Sequence, residues 1–332
     1  MPMRFGFMVL PRQVEDTREA ARIGEAAGFE WMGVADSPTV YEDSYLHQLE
    51  GARVTERLKV GPMTSHLVAR HPVIVGNLLA TMNEITDGRA VGTITTGNSA
   101  ARGLGMKPAK LAELAEGFEA IRGYWRGEGG EFKDSHIPAT GMQRRGCTLL
   151  FGADGPKAAA MAGKVGDGIL YGGTMDPEVR RRRLAAGKVR DDQEAWLAPT
   201  VSLGETYDEV REDLGAMVIA MANRAMRGDL SERGVPEELH ADVAEMWRQY
   251  DYGYHADNSR PLNTSIVSDR LGEHLIDSLC LWGDEDRWRT RIDELEAEGW
   301  TGVMLILGQA TQLDVLRRIA ERLQALGQLT PA

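Results

Sequence analysis

A chain of 332 residues that is 42% hydrophobic and 27% charged has material for a large core and is not compositionally disordered. Its formal net charge of -12 leaves no basic excess for neutralising phosphates, which excludes nucleic acid and anionic membrane surfaces as main partners. The cysteines Cys147 and Cys280 stand far apart without C-x-x-C or Cys/His spacing, indicating a reducing, cytoplasmic setting and no structural zinc.

From its first residues the chain reads as alternating strands and helices. Met1-Pro2-Met3-Arg4-Phe5 leads directly into a strand over Phe5 to Leu10, with no signal peptide expected ahead of it and no membrane-length apolar run anywhere. Thr17 to Ala27 has the spacing of an amphipathic helix, Gly28 is its stop, and Trp31 to Ala35 is the next strand. Further strands are predicted near Leu58 to Pro62, Ala90 to Thr95, Thr148 to Ala153, Gly168 to Tyr171, Leu197 to Leu203 and Gly302 to Leu307. Helices are predicted over Asp43 to Thr55, Pro72 to Ile85, Leu111 to Arg126, Pro156 to Lys164, Pro177 to Ala186 and Tyr207 to Ala225. Pro72, Pro156 and Pro177 each fall in a first helical turn, where a missing N–H costs nothing. One phrase of helix end, glycine and short apolar strand recurs at Glu25 to Val34, Ala162 to Ile169 and Glu296 to Val303. The run Arg180 to Arg183 follows a helix start at Asp176-Pro177-Glu178 and reads as a solvated helix face.

Roughly eight βα units in a chain of this length predict an α/β fold of the (β/α)8 TIM-barrel type. A doubly wound sheet is the alternative, but no G-x-G-x-x-G follows the first strand and Gly103-Leu104-Gly105 stands in the wrong context. A single domain over residues 1–332 is expected. Outside the repeat fall the Gly-rich, charged segment Glu128 to Gly146 and an insertion at about 228–268. The insertion contains a helix over Pro236 to Arg248, then Gln249-Tyr250-Asp251-Tyr252-Gly253-Tyr254-His255. Insertions of this size serve as lids or oligomer contacts.

In a barrel, the residues just past each strand's C-terminal end carry function. The most informative of these tips lies within Arg89 to Ala109. Its β-branched run (Val91, Thr93, Ile94, Thr95, Thr96) stops at Gly97 and opens into Asn98-Ser99-Ala100-Ala101. Such an end lets something large and flat approach the backbone. The other tips are Pro11-Arg12, Asp36-Ser37-Pro38, Met63 to His66, Gly152 to Gly155, Gly172-Gly173-Thr174 and Gly204-Glu205. Together they offer one early carboxylate, Asp36, and one histidine, His66, with no paired carboxylates, Ser/His/Asp set or metal cluster by spacing. A glycine-lined rim with few titratable groups suits a cofactor that carries the reaction itself. Asp36 is either a helix cap or functional, and His71 ahead of Pro72 reads as a cap. Gly172-Gly173-Thr174 is either a turn or an anion nest, and Tyr250 to His255 either core filling or a polar-tipped pocket wall.

At these positions the chain resembles the luciferase-like oxidoreductase superfamily, which includes bacterial luciferase, alkanesulfonate monooxygenase and F420-dependent reductases and dehydrogenases. The motifs are Gly61-Pro62 through Arg70-His71-Pro72, Asp87-Gly88-Arg89-Ala90, Thr96 to Ala100, Leu104 to Pro108, Val165 to Gly168 and Glu298 to Val303. The match spans nearly the whole chain, and Gly97 to Pro108 is most similar to the F420-dependent branch. The resemblance implies a non-proline cis peptide near Met63-Thr64-Ser65, with Met63 in place of the family's usual glycine. It also implies that backbone at Gly97, Asn98, Ser99 and Ala100 contacts a flavin-type ring, with Asp36 near the reacting face. Ala153 and Gly155 would line the ribityl chain or phosphate, with Gly172, Gly173 and Thr174 nearby. Ser37 and Asn98 stand where the family's sugar-phosphate dehydrogenases carry histidine and glutamate. Proton transfer is then left to Asp36 or His66, while Asn98 orients ring or substrate.

The resulting expectation is an oxidoreductase passing hydride between coenzyme F420 and a small organic substrate held by Tyr250, Tyr252 and His255. FMN is the alternative cofactor, implying monooxygenation with O2 and a separate flavin reductase as partner. A cofactor-free barrel retained as a binding protein is a further alternative, and a metal-dependent hydrolase lacks its ligand cluster. The resemblance also implies a homodimer paired through Asp43 to Thr55 and Pro72 to Ile85.

Overall fold

Along the first strand, β1 (Arg4–Val9), Phe5, Phe7 and Val9 join a core beneath the helices while Met8 faces the barrel interior, the two-residue period of a strand covered on both faces. The computed structural model describes residues 2–251, 267–308 and 312–331. Its further strands are β2 (Trp31–Val34), β3 (Lys59–Pro62), β4 (Ser65–His66), β5 (Val91–Thr95), β6 (Gly130–Phe132), β7 (Ser135–Ile137), β8 (Thr148–Ala153), β9 (Gly168–Tyr171), β10 (Glu194–Leu197), β11 (Thr200–Val201), β12 (Cys280–Leu281) and β13 (Gly302–Ile306). Parallel pairing runs in the order β3-β2-β1-β13-β10-β9-β8-β5-β4, and a parallel bridge between Val60 and Ala90 brings the two ends together. Because β4 carries on from β3 and β11 from β10, the path amounts to eight staves in a nearly closed barrel.

Around it lie α1 (Val14–Ala27), α2 (Ser44–Arg53), α3 (Pro72–Ile85), α4 (Ser99–Gly103), α5 (Leu111–Arg126), α6 (Pro156–Val165), α7 (Pro177–Gly187), α8 (Tyr207–Leu214), α9 (Ala216–Ala225), α10 (His240–Gln249), α11 (Asp269–Leu279), α12 (Glu285–Glu298) and α13 (Gln312–Ala325). Pro72, Pro156 and Pro177 each open a helix, and His71 caps α3 by accepting from the Val73 amide at 3.3 Å. Among the described residues no helix is long and apolar enough to cross a membrane.

Several expected elements differ in form. The strand read over Leu197 to Leu203 breaks at Ala198-Pro199, because proline has no N–H for the ladder, and becomes β10 and β11. The helix read over Tyr207 to Ala225 breaks at Gly215 into α8 and α9. Segment 128–146 contains the antiparallel hairpin β6–β7. Helices α8 to α11 share one apolar cluster, so the packed unit between β11 and β12 extends beyond 228–268 on both sides. The arginine run is not wholly solvated: Arg180 is fully buried and pairs with Glu294 and Glu298, and Arg183 pairs with Glu232. Helical spacing of three residues puts both on the inward side, where each finds a carboxylate that burial requires.

The N-terminal end of the barrel is filled. Trp31 and Trp196 meet edge to face with ring centroids 5.3 Å apart, and Val91, Leu150, Leu170 and Met304 pack with them. Below, Arg4 bridges Glu30 and Glu194 while Lys59 also reaches Glu30. Trp196→Ala should therefore leave a large cavity and cost about 3–5 kcal/mol of unfolding free energy in urea titration. An unchanged midpoint would show that the pair does not hold the staves.

Candidate active site

At the opposite, C-terminal end the staves open into a cavity of about 350 Å³. Four tips supply one side of it. After β2 come Ala35, Asp36 and Ser37; between β3 and β4 lie Met63 and Thr64; β4 ends in His66; and β5 leads through Thr96 and Gly97 into Asn98, Ser99 and Ala100. The Met63–Thr64 peptide is cis, as the resemblance implied. Gly97 has φ +79°, and a Cβ there would stand 3.1 Å from the His66 Cβ, so only glycine lets the chain turn this close to the imidazole. A hydroxyl contact of 3.0 Å between Ser37 and Ser99 ties the β2 and β5 tips together.

Asp36 and His66 are adjacent but chemically unlike. The Asp36 carboxylate is nearly fully buried, and its Oδ2 accepts from Ser65 Oγ at 2.9 Å and Arg70 Nη1 at 2.6 Å. Ser65 Oγ in turn accepts from the Tyr45 hydroxyl at 3.0 Å, whose pKa burial pushes up, so Tyr45 stays a donor. Oδ1 of Asp36 takes no hydrogen bond among the described residues. His66 is fully buried, and among the described residues neither ring nitrogen has a partner. Burial holds its pKa below 6.5; Asp36 pulls it upward and Arg70 adds to the depression. The ring is therefore a neutral imidazole with one donor and one acceptor.

Expected residues separate into groups. Asp36, Met63, Thr64, His66, Gly97, Asn98, Ser99 and Ala100 line the one cavity. Ser65 lies behind it, holding Asp36. Ala153, Gly155, Gly172, Gly173 and Thr174 do not line it; Asp154 does, and Arg233 and Arg224 lie directly over Gly155 and Gly172. The Thr174 amide donates to the Tyr171 hydroxyl at 2.9 Å and its Oγ1 accepts from the Asp176 amide, so this amide serves the turn. Tyr250 packs among Val243, Met246 and their neighbours in the cluster of α8 to α11, away from the cavity wall. Tyr252 and His255 lie outside the described residues. Sequence reasoning missed the roof: Met217, Met221 and Arg224 from α9, with Arg227 and Arg233 beyond it. Their spacing at i, i+4 and i+7 was the available signal, a single stripe on one helix.

The depressed His66 pKa has a definite stability signature. The unfolded chain binds the proton near 6.5 and the folded chain only at lower pH. Between the two values the unfolded state holds more protons, so stability present above about pH 6.5 is lost as pH falls toward the folded pKa. His274, depressed by burial as well, adds the same slope in every variant that retains it. Unfolding free energy should thus fall more steeply in wild type than in His66→Gln between about pH 7 and 5.5. Equal slopes would mean that the imidazole titrates as it does in water.

Comparison with known proteins agrees with this architecture. A family model described as luciferase-like monooxygenase matches residues 3–302. The 5,10-methylenetetrahydromethanopterin reductase of Methanolobus tindarius is 25% identical over 317 residues, covering 91% of this chain and 93% of that protein. An F420-dependent glucose-6-phosphate dehydrogenase of Microbacterium testaceum is 25% identical over 242 residues, covering 64% of this chain and 72% of that protein. Among solved structures, the coenzyme F420 dependent tetrahydromethanopterin reductase from Methanopyrus kandleri shares the fold, with a TM-score of 0.76 at 20% identity over 97% of this chain and 98% of that one. On the barrel and on a family match over most of its length, the chain belongs to the luciferase-like monooxygenase family of oxidoreductases.

Proposed function

We propose that this chain passes hydride between coenzyme F420 and a small organic substrate at the covered mouth of the barrel. The observation that carries the reading is the cavity wall at Thr64 and Gly97 to Ala100, built from backbone and small side chains beside a buried, neutral His66. A flat heterocycle can lie against this wall, which Gly97 keeps clear of side chains. The F420-dependent relatives favour the deazaflavin over FMN. When bound, the deazaflavin supplies two-electron hydride chemistry that no side chain provides.

The chain's own residues have distinct tasks. Backbone at Gly97 to Ala100 and Thr64 would bear the ring, and Asn98, whose Oδ1 accepts from Arg102 Nε at 3.1 Å, has its amide NH2 left to orient it. Ser65 and Arg70 fix Asp36 so that Oδ1 is the oxygen able to accept a hydrogen bond from the substrate. His66, neutral at physiological pH, can take or hold a proton. Met217, Met221, Leu10 and Ile306 exclude water and so strengthen each polar contact beneath them.

Titrating the purified protein with F420 and with FMN tests this. F420 should bind saturably and FMN about tenfold or more weakly, a difference of about 1.4 kcal/mol. Tight FMN binding without F420 binding would replace hydride transfer by monooxygenation, and binding of neither would remove the enzyme reading. Gly97→Val should abolish F420 uptake; because its backbone would be strained, His66→Asn, which keeps the turn, should weaken uptake without lowering the melting temperature comparably.

We further propose a homodimer through α2 and α3, where Leu46, Ile74 and Ile85 are 64%, 53% and 59% exposed. Sedimentation should return twice the chain mass, and a monomer would refute the pairing.

A further inference from the structure

The mouth of the barrel has two unlike sides. The tip of β5, Gly97 to Ala100, presents backbone and small side chains. Strand β13 stands four staves from β5 in either direction round the ring, so its end lies across the mouth from that tip. There the lining is apolar. Ile306 of β13, Met8 and Leu10 at the end of β1, and Met217 of α9 belong to one buried cluster, with Met63 and Met221 packed against it.

Thioethers are over-represented on this side. Methionine accounts for 15 of 332 residues in the chain, yet it supplies four of these six side chains. The strand beside them makes room for one: a Cβ on Gly33, in β2, would stand 2.8 Å from Met63 Cβ. An unbranched thioether adapts its shape to what it touches and is attracted to the edge of an aromatic ring.

Charge is kept off the same side. Of the cavity's cations, Arg224 and Arg233 lie over Gly172 and Gly155, Arg227 is fastened to Asn223, and Arg102 donates to Asn98 Oδ1. Met221 marks the border, its Sδ accepting from Arg224 Nη2 at 3.7 Å. Among the described residues the cavity's carboxylates are Asp154, which pairs with Arg224, and Asp36, whose Oδ1 takes no hydrogen bond. An ionised group set against the methionines would lose its hydration and gain no partner, and the hydroxyls of a sugar would fare little better. A neutral ring pays no such penalty.

We propose that the molecule held under α9 is uncharged and carries a flat apolar ring, seated on Met8, Met63 and Met217, with one O–H or N–H donor directed to Asp36 Oδ1. Calling that molecule the substrate rests on the hydride-transfer reading; the apolar seat itself does not.

Calorimetric titration of the full-length protein with 2-naphthol, a neutral ring bearing one O–H, tests the seat. Wild type should bind it saturably, 2-methoxynaphthalene severalfold more weakly, and the anion 2-naphthoate about tenfold or more weakly. Glucose 6-phosphate should not displace it. Met217→Gln should weaken 2-naphthol about tenfold, whereas Met217→Leu, close in volume, should stay within about threefold of wild type. Met63→Ala should bind the larger 1-pyrenemethanol one-to-one and more tightly than wild type; a misfolded chain would take up such a probe without saturation. No binding of 2-naphthol by wild type with or without F420, a preference for 2-naphthoate, or equal binding by Met217→Gln overturns the proposal. F420 separates this proposal from the reading it deepens. Binding of 2-naphthol alongside saturating F420 supports both, while its displacement by F420 puts the probe on the cofactor's wall and overturns the seat. Methionine-dependent binding in a protein that ignores F420 keeps the seat and discards the F420 reading. F420 binding in a protein that ignores 2-naphthol does the reverse.

Discussion

Trp31 and Trp196 meet edge to face inside the ring, each almost wholly shielded from water, and the staves cannot spread or tighten without disturbing that contact. An edge-to-face aromatic pair contributes about 0.5–1.5 kcal/mol beyond the area it buries, and here it also sets the bore of the barrel. Val91, Leu150, Leu170 and Met304 pack with it and fill the interior of the ring around the two indoles. At the upper rim, where strands stop and loops begin, the candidate cavity opens. The spacing of that rim is inherited from the tryptophans beneath.

On the rim, electrostatics separates three tasks that a single polar pocket would confuse. Asp36 is neutralised locally by Arg70 and steadied by the Ser65–Tyr45 relay. His66, one tip away, is held neutral because burial penalises its charged form more than the nearby carboxylate rewards it. The far end concentrates positive charge over Gly155 and Gly172. The mouth thus presents a hydrogen-bonding wall, an apolar stretch and a cationic end.

The ring was readable in the sequence because its signals are local: short apolar runs, glycine stops and prolines in first helical turns. Its rim was readable too, since Gly97-Asn98-Ser99 marks where β5 stops and the wall of the cavity begins. What escaped were pieces too short for periodicity to register, such as β4, β11 and β12 at two residues each. The roof escaped for a different reason. Tyr207 to Ala225 has continuous helical spacing, and a stripe of Met217, Met221 and Arg224 says that a helix has a buried face without saying what it faces. Arg180 and Arg183 make the same point, because the carboxylates that bury them lie at Glu294, Glu298 and Glu232, far along the chain. The cis bond at Met63–Thr64 came from family likeness alone, since nothing in residue spacing foretells it.

Gly215 joins α8 to α9 with φ 46° and ψ -122°, a conformation open in practice to glycine alone. That one joint swings α9 inward, so Met217, Met221 and Arg224 descend on the mouth as a rigid set and cannot be adjusted one at a time. The cavity is thus walled by two different stretches of polypeptide: strand tips that the ring locks, and a helical bar laid over them. A change at that joint would move the whole bar over the mouth while the staves beneath stay as they are.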